Sequence, residues 1–346
     1  MILQNLNDKI SNFLITNQTM DKLNFPSLKD NITVYEMLLR NNTVLRRFID
    51  RNQKDDFYIP KELLIISNRE MKRINDALNM INTLSKLCNH NNIPFVMTKA
   101  FQHFPDMGHD IDLLIMDKNS SLENILKKQF EYKRRPISLS SYIAGKHAYL
   151  LSVCESPIEI HNNRLGHFGE YKKYAKKVID RRMPFTFNGN STFIPSIEDQ
   201  LIIQCIQRVY GHRTVRISDV IQVSKLVNNS SFDWEYTRSA ISANGIQPGF
   251  EHYMSVVNNL CKKWNVETID SHRYIYQVIK NNNLTMPDFN GSVYKTTSLS
   301  DLGILYIKIY LFNIFHMQWD SIFRLSFLPL VALLNGVRNI LKRNYR

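Results

Sequence analysis

Asp110-Ile-Asp-Leu-Leu-Ile-Met116 is a short apolar run with a carboxylate at its first and third positions. Side chains alternate along a strand, so Asp110 and Asp112 share one face while Ile111, Leu113 and Ile115 take the core face. Pro157-Ile-Glu-Ile-His-Asn162 reads as a second strand, and the same alternation puts Glu159 and His161 on one of its faces. Two carboxylates at the start of an apolar strand are costly unless cations neutralise them. A third acid on a neighbouring strand makes a set of hard oxygen ligands suited to Mg²⁺ or Mn²⁺.

Outward from this stretch, Ile93 to Lys99 reads as a further strand, separated from Asp110 by a loop containing Pro105 and Gly108. Upstream, Met71, Ile74, Leu78, Ile81, Leu84 and Cys88 recur at helical spacing, and everything earlier also reads mainly helical. Downstream, Leu122 to Phe130 reads as a helix opened by a capping box of Ser120 and Glu123. His147 to Val153 reads as a strand joined to Pro157–Asn162 by a tight turn at Glu155-Ser156.

From Ser196 the helical period returns, over Ile197–Val209, Ile217–Val227, Trp234–Ala243 and Phe250–Trp264, with Lys280 to Leu299 as a polar linker. The expected class is α+β: a small mixed sheet at 91–185, between a helical segment at 1–90 and a helical domain at 186–280. Residues 281–346 add the linker and apolar C-terminal helices.

The 346-residue chain is 44% hydrophobic, enough for a sizeable core, and its formal charge of +13 favours anionic partners. Cys88, Cys154, Cys205 and Cys261 form no Cys-x-x-Cys pair, so neither a disulfide framework nor a zinc site is expected. Residues 1–21 show no export-signal order, and the cytoplasm is the expected compartment.

Lys99-Ala100, Phe104-Pro105, Asp110-Ile-Asp-Leu-Leu-Ile115, His147 and Ile158-Glu-Ile-His161, followed by Ser196-Ile-Glu-Asp-Gln-Leu201, stand in an order with a known parallel. Together they resemble the bacterial and archaeal nucleotidyltransferase family of the DNA polymerase β superfamily, over roughly residues 68 to 230. The resemblance implies a polymerase-β-like core in which Asp110, Asp112 and Glu159 hold catalytic Mg²⁺ or Mn²⁺. It implies a nucleoside triphosphate (NTP) such as ATP near Thr98, Lys99, His161 and Arg216, and transfer of a nucleoside monophosphate to an acceptor: protein, RNA, sugar or small molecule. Ala100 stands where the family has Gly, Glu159 where it has Asp, and His109 precedes the acid pair without the family's usual Arg. The alternative that goes with these departures is a catalytically impaired nucleotide-binding or partner-binding module on the same fold. A glycosyltransferase also uses Asp-x-Asp, but no Rossmann-like βα alternation precedes the motif.

Other features have plainer readings. His147 reads as structural, and His212, Arg216 and Asp219 as an ion-paired set on one helical face. Lys172, Lys173, Lys176, Lys177, Arg181 and Arg182 read first as a solvated helix face. Leu302 to Leu334 is strongly apolar but interrupted by Lys308, His316, Asp320 and Arg324, short of the ~20 residues that span a bilayer. Packing on the helical half is the favoured reading. The other is peripheral contact with an anionic membrane through Arg338, Lys342, Arg343 and Arg346. Because Asp110 and Asp112 crowd like charge, Asp112→Asn is expected to leave metal-free stability unchanged or raised.

Overall fold

The structure, a computed structural model, describes residues 2–16, 25–117, 120–134, 138–264 and 287–331. The amphipathic period before Cys88 belongs to one long helix, α4 (Lys61–His90), preceded by α1 (Ile2–Ile15), α2 (Ile32–Asn41) and α3 (Leu45–Lys54). Leu38, Leu39, Phe48 and Phe13 are fully buried, and Phe13, Phe25, Tyr35 and Phe48 pack ring against ring. These residues run without a break into the core of the C-terminal helices. Asp8 of α1 reinforces that join, accepting from the Trp264 indole at 2.8 Å and pairing with Lys263 at 2.7 Å.

The central sheet is mixed, in the order β1-β2-β5-β4-β3, with β1 (Phe95–Met97), β2 (Ile111–Ile115), β3 (Tyr132–Arg134), β4 (Lys146–Leu151) and β5 (Ile158–Asn162). β2 and β5 are parallel, with Asp112 opposite Glu159 in register, and the other neighbours are antiparallel. Alternation divides the two faces cleanly. Met97, Ile111, Leu113, Ile158 and Ile160 pack against α4 and α5 (Ser121–Gln129), whereas Val96 and Leu114 face the helical half. Asp112, Glu159 and His161 share this second face, so a polar cluster is pressed between two layers.

β3 and α6 (Leu139–Ala144) lie in a stretch with no clear period, and α7 (Lys172–Asp180) coincides with the basic run. The hairpin β6 (Met183–Phe187) and β7 (Asn190–Ile194) packs on α4 and β1, where Phe193 meets Phe95 edge to face. The capping box at Ser120 does not form. Ser120 adopts φ 53° and makes no side-chain cap; Asp117 Oδ2 instead accepts from the Leu122 amide at 2.9 Å, while Glu123 pairs with Lys127 at 2.8 Å. A carboxylate reaching back from the end of β2 does the work expected of the serine.

The helical half comprises α8 (Ile197–Ile206), a π-type turn at Gln207–Gly211, β8 (Thr214–Val215), α9 (Ile217–Val227), α10 (Trp234–Ala243) and α11 (Gln247–Lys263). The helix expected to Val209 runs on through the π turn to Gly211 and stops there, so His212 and Arg216 lie between helices and share no helical face with Asp219. Within the stretch expected as linker, β9 (Phe289–Asn290) and β10 (Val293–Lys295) form a hairpin that pairs with β8; residues 280–286 lie outside the described residues.

α12 (Leu299–Phe315) and α13 (Trp319–Leu325) follow. Leu305, Tyr306 and Ile309 pack into the helical half, yet Ile304, Ile307, Leu311, Ile314 and Phe315 are exposed, so packing accounts for one face only. Among the described residues no helix is long and apolar enough to cross a membrane. Arg338, Lys342, Arg343 and Arg346 lie outside them.

Candidate metal centre

Parallel pairing of β2 and β5 brings Asp112 and Glu159 side by side, and the two-residue step along β5 sets His161 beside both. Ligand atoms of Asp112, Glu159 and His161 all lie within 4.8 Å of one another. His161 Nε2 is 3.2 Å from Asp112 Oδ1 and 2.9 Å from Glu159 Oε1, so one imidazole nitrogen bridges the two carboxylates. Lys99, at the end of β1, places Nζ 2.6 Å from Asp112 Oδ1. Lys146, on β4 directly opposite His161, places Nζ 3.2 Å from Glu159 Oε1.

Two acids thus face two ammonium groups and an imidazole. Burial pushes the Asp112 carboxyl up, but Lys99 and the His161 hydrogen bond outweigh it and hold the group below its ordinary range. Glu159 behaves alike: burial raises it, and His161, Lys146 and Lys99 more than reverse the shift. Both are therefore carboxylates at neutral pH, the form in which they ligate a cation.

The cluster opens into a cavity of about 250 Å³ between the sheet and the helical half. Lys99, Asp110, Lys146, Glu159 and His161 form its polar wall; Leu165, Ile203 and Ile206 form an apolar one, with His167, Gln207 and His212 at the margins. Burial, then Arg208 and Lys99, lower His212 to about 3, and burial with Lys146 lowers His167 to about 4. Both imidazoles are neutral at pH 7 and offer hydrogen bonds rather than charge.

The expected site residues divide accordingly. Asp112, Glu159, Lys99 and His161 meet. Asp110, one residue before β2, lines the same cavity but lies outside the group of three whose ligand atoms converge. Thr98 is buried and its hydroxyl donates to the Asp112 carbonyl at 3.3 Å, a strand-pairing role away from the cavity wall. Arg216 donates to Thr43 Oγ1 at 3.0 Å and lines a separate cleft with Asp106 and His109. Burial and the nearby Arg208 lower its guanidinium to about 10.

Sequence reasoning passed over Lys146 in favour of its neighbour His147, although alternation along β4 puts only one of the two on the Glu159 face. It also passed over the 165–167 segment and Gln207, which no spacing rule marks. The donor chemistry fits a hard divalent ion: two ionised carboxylates, a third from Asp110 at the cavity wall and one imidazole nitrogen. His161 Nδ1 is buried without a hydrogen-bond partner, leaving Nε2 as the working atom of that ring.

Behind the cavity wall Glu170 is fully buried, and burial pushes it up to about 7 despite a hydrogen bond from the Phe168 amide to Oε2 at 2.9 Å. Its Oε1 has no partner, and Gly166 (φ 101°) lies so close that an added Cβ would meet the carboxylate. An acid raised in the folded state contributes stability that is complete below its unfolded pKa, near 4.3, and lost as pH rises through about 7. Glu170→Gln is therefore expected to unfold later than wild type at pH 8, by on the order of 2 kcal/mol, and to match it near pH 4. Urea titrations at the two pH values check this; equal differences at both would place the ionisation elsewhere.

No family model matches the chain, and no curated protein matches it. Among solved structures it is similar to the crystal structure of an antigenic nucleotidyltransferase-like protein from Paracoccidioides brasiliensis. The identity is 12% and the TM-score 0.33, over 53% of this chain and 94% of that one, a loose likeness. What the fold and cluster define by themselves is an α+β protein with a carboxylate–imidazole site able to hold a metal ion, set in a cavity that also presents two lysines.

Proposed function

We propose that the chain is a metal-dependent nucleotidyltransferase, moving a nucleoside monophosphate from an NTP to an acceptor nucleophile with pyrophosphate leaving. The observation that supports it most is the in-register pairing of Asp112 with Glu159 at a cavity that also presents Asp110 and the cations Lys99 and Lys146. Asp112 and Glu159, joined by Asp110, are the residues that would hold Mg²⁺ or Mn²⁺. Such an ion, when bound, polarises a phosphoryl oxygen and makes an acceptor oxygen more nucleophilic.

The protein's own groups do the rest. Lys99 and Lys146 compensate carboxylate charge in the absence of ligand, and both are only partly buried, free to turn toward phosphate oxygens. His161 keeps the two carboxylates converged through its single working nitrogen. Leu165, Ile203 and Ile206 shield the polar wall from water and strengthen every charge interaction on it.

The test is incubation of purified protein with each labelled NTP, Mg²⁺ or Mn²⁺, and cell extract, with products identified by mass. A nucleotidylated product with released pyrophosphate is expected. An NTP-dependent thermal shift with no product would move the assignment to a nucleotide-binding module, and neither product nor shift would overturn it.

A further inference from the structure

α12 is apolar nearly all round, which a helix of a water-soluble protein matches with burial on all sides. Here only the Leu305–Tyr306–Ile309 side is covered, and Ile304, Ile307, Leu311 and Ile314 make a second, exposed stripe at steps of three, four and three. The exposed surface continues past the helix end through Phe315, Met317, Trp319 and Phe323, which are 66–79% exposed. Large aromatic side chains at an exposed helix–helix turn are the composition that sits at the headgroup level of a bilayer.

A basic helix lies on the Asp320 side of this patch, while Glu251 and Asp301 border its other edge at Ile304 and Leu311. Arg164 pairs with Asp320, and Ser321 Oγ donates to the Glu170 carbonyl at 2.7 Å, which docks the start of α13 on the segment leading into α7. α7 buries Tyr174, Ala175, Val178 and Ile179 and exposes Lys172, Lys173, Lys176 and Lys177 on its other side. Lys172 is near enough to contribute, after burial and the two arginines, to the electrostatics of Asp320. In sequence, residues 332–346 hold Arg338, Lys342, Arg343 and Arg346 and no acid; they lie outside the described residues.

We propose that the exposed face of α12 and α13, with the lysine face of α7 beside it, is a docking surface for the headgroup region of an anionic lipid bilayer. The aromatics Phe315, Trp319 and Phe323 continue an aliphatic stripe of Ile304, Ile307 and Leu311, which acyl chains cover and stacked bases do not. A helical seam with a second copy would end with the stripe, whereas this surface turns the corner at Met317 into Trp319 and Phe323.

The experiment is co-sedimentation of the full chain, without nucleotide or metal, with vesicles of phosphatidylcholine alone or mixed with phosphatidylglycerol. Its outcome is thereby independent of the transferase reading. Binding to the anionic vesicles only, weakened by salt, is expected. Lys172, Lys173, Lys176 and Lys177 changed together to Gln should weaken it by roughly fivefold for each lysine that contacts the surface. Trp319→Ser with Phe323→Ser should weaken it with little change in the thermal melt, since both side chains are exposed. Absent binding, equal binding to neutral vesicles, or unchanged binding by both variants overturns the proposal. So does a dimer in solution that the Trp319→Ser/Phe323→Ser variant dissolves, or single-stranded RNA that binds where vesicles do not.

Discussion

Asp112→Asn is expected to cut nucleotide transfer by roughly 10²- to 10³-fold, the scale on which a preorganised charge at a reaction centre acts, and to destabilise the metal-free protein as well. The second half reverses what the sequence suggests. Crowded carboxylates alone would make the amide neutral or favourable, but Asp112 does not face Glu159 uncompensated. Its Oδ1 takes Lys99 at 2.6 Å and His161 at 3.2 Å in a setting that leaves Asp112 3% exposed. An amide there leaves Lys99 without its counter-charge. Because the Lys99 side chain is 25% exposed, water recovers part of the loss, and about 1–3 kcal/mol is expected rather than the full cost of breaking a buried pair.

The sign with pH follows from the depressed carboxyl. Its contribution is present above the unfolded pKa and fades as pH falls through the lower folded value, so wild type and variant should converge in acid. Thermal melts in chelator across pH, repeated with Mg²⁺ and NTP, separate the two roles. The ligand-induced shift should shrink in the variant, and an equal shift in both proteins would remove Asp112 from the ligand set.

Much of this arrangement was readable beforehand because strands alternate with a fixed period of two. Asp110 and Asp112 could be put on one face of β2, with Ile111, Leu113 and Ile115 on the other, and Glu159 and His161 on one face of β5, from their positions alone. The register that makes Asp112 and Glu159 direct neighbours was not readable, since β5 pairs in parallel with β2 across α5, β3, α6 and β4. Lys146 enters the site through the antiparallel pairing of β4 with β5, which sets it opposite His161. Caps failed for a related reason. Ser120 satisfied the local pattern, but Asp117 reaches the Leu122 amide across the end of β2.

The helix expected through Val209 is present, but its last turn changes to the i→i+5 bonding of a π turn, which an apolar period does not report. Asp106 gives a further instance. It accepts from the Arg46 and Arg47 amides at 2.7 and 3.1 Å, capping α3 from a loop some 60 residues later, and no local pattern announces such a contact.

The largest stability loss is expected at a carboxylate outside the cluster, Asp219. With no exposed surface, it holds three segments together. Oδ2 takes Arg208 Nε at 2.8 Å and the Arg216 amide at 2.8 Å; Oδ1 takes Arg208 Nη2 at 2.9 Å, Gln204 at 3.0 Å and His103 at 3.4 Å. Burial raises this carboxyl, but Arg208, His103 and Arg216 outweigh it and hold it low, so it is ionised and its contribution is present above its unfolded pKa. Asp219→Ala would leave the Arg208 guanidinium, 5% exposed inside the π turn, without a counter-charge, at a cost of roughly 3–5 kcal/mol.

His103 would lose its anchor too, and His103 belongs to the same loop as Lys99 and Asp110, so transfer should weaken even with the cluster unaltered. Replacing both partners, Asp219→Leu with Arg208→Met, should recover most of the stability because no charge is then left buried, with a coupling of roughly 2–3 kcal/mol in the cycle. It should not recover activity if the loop depends on the Asp219–His103 contact. Denaturant midpoints of the four proteins measure the coupling. A single variant Asp219→Ala that loses less than about 1 kcal/mol, the range of a surface pair, would mean that Arg208 finds water or another acceptor and that the loop, the π turn and α9 are held by packing alone.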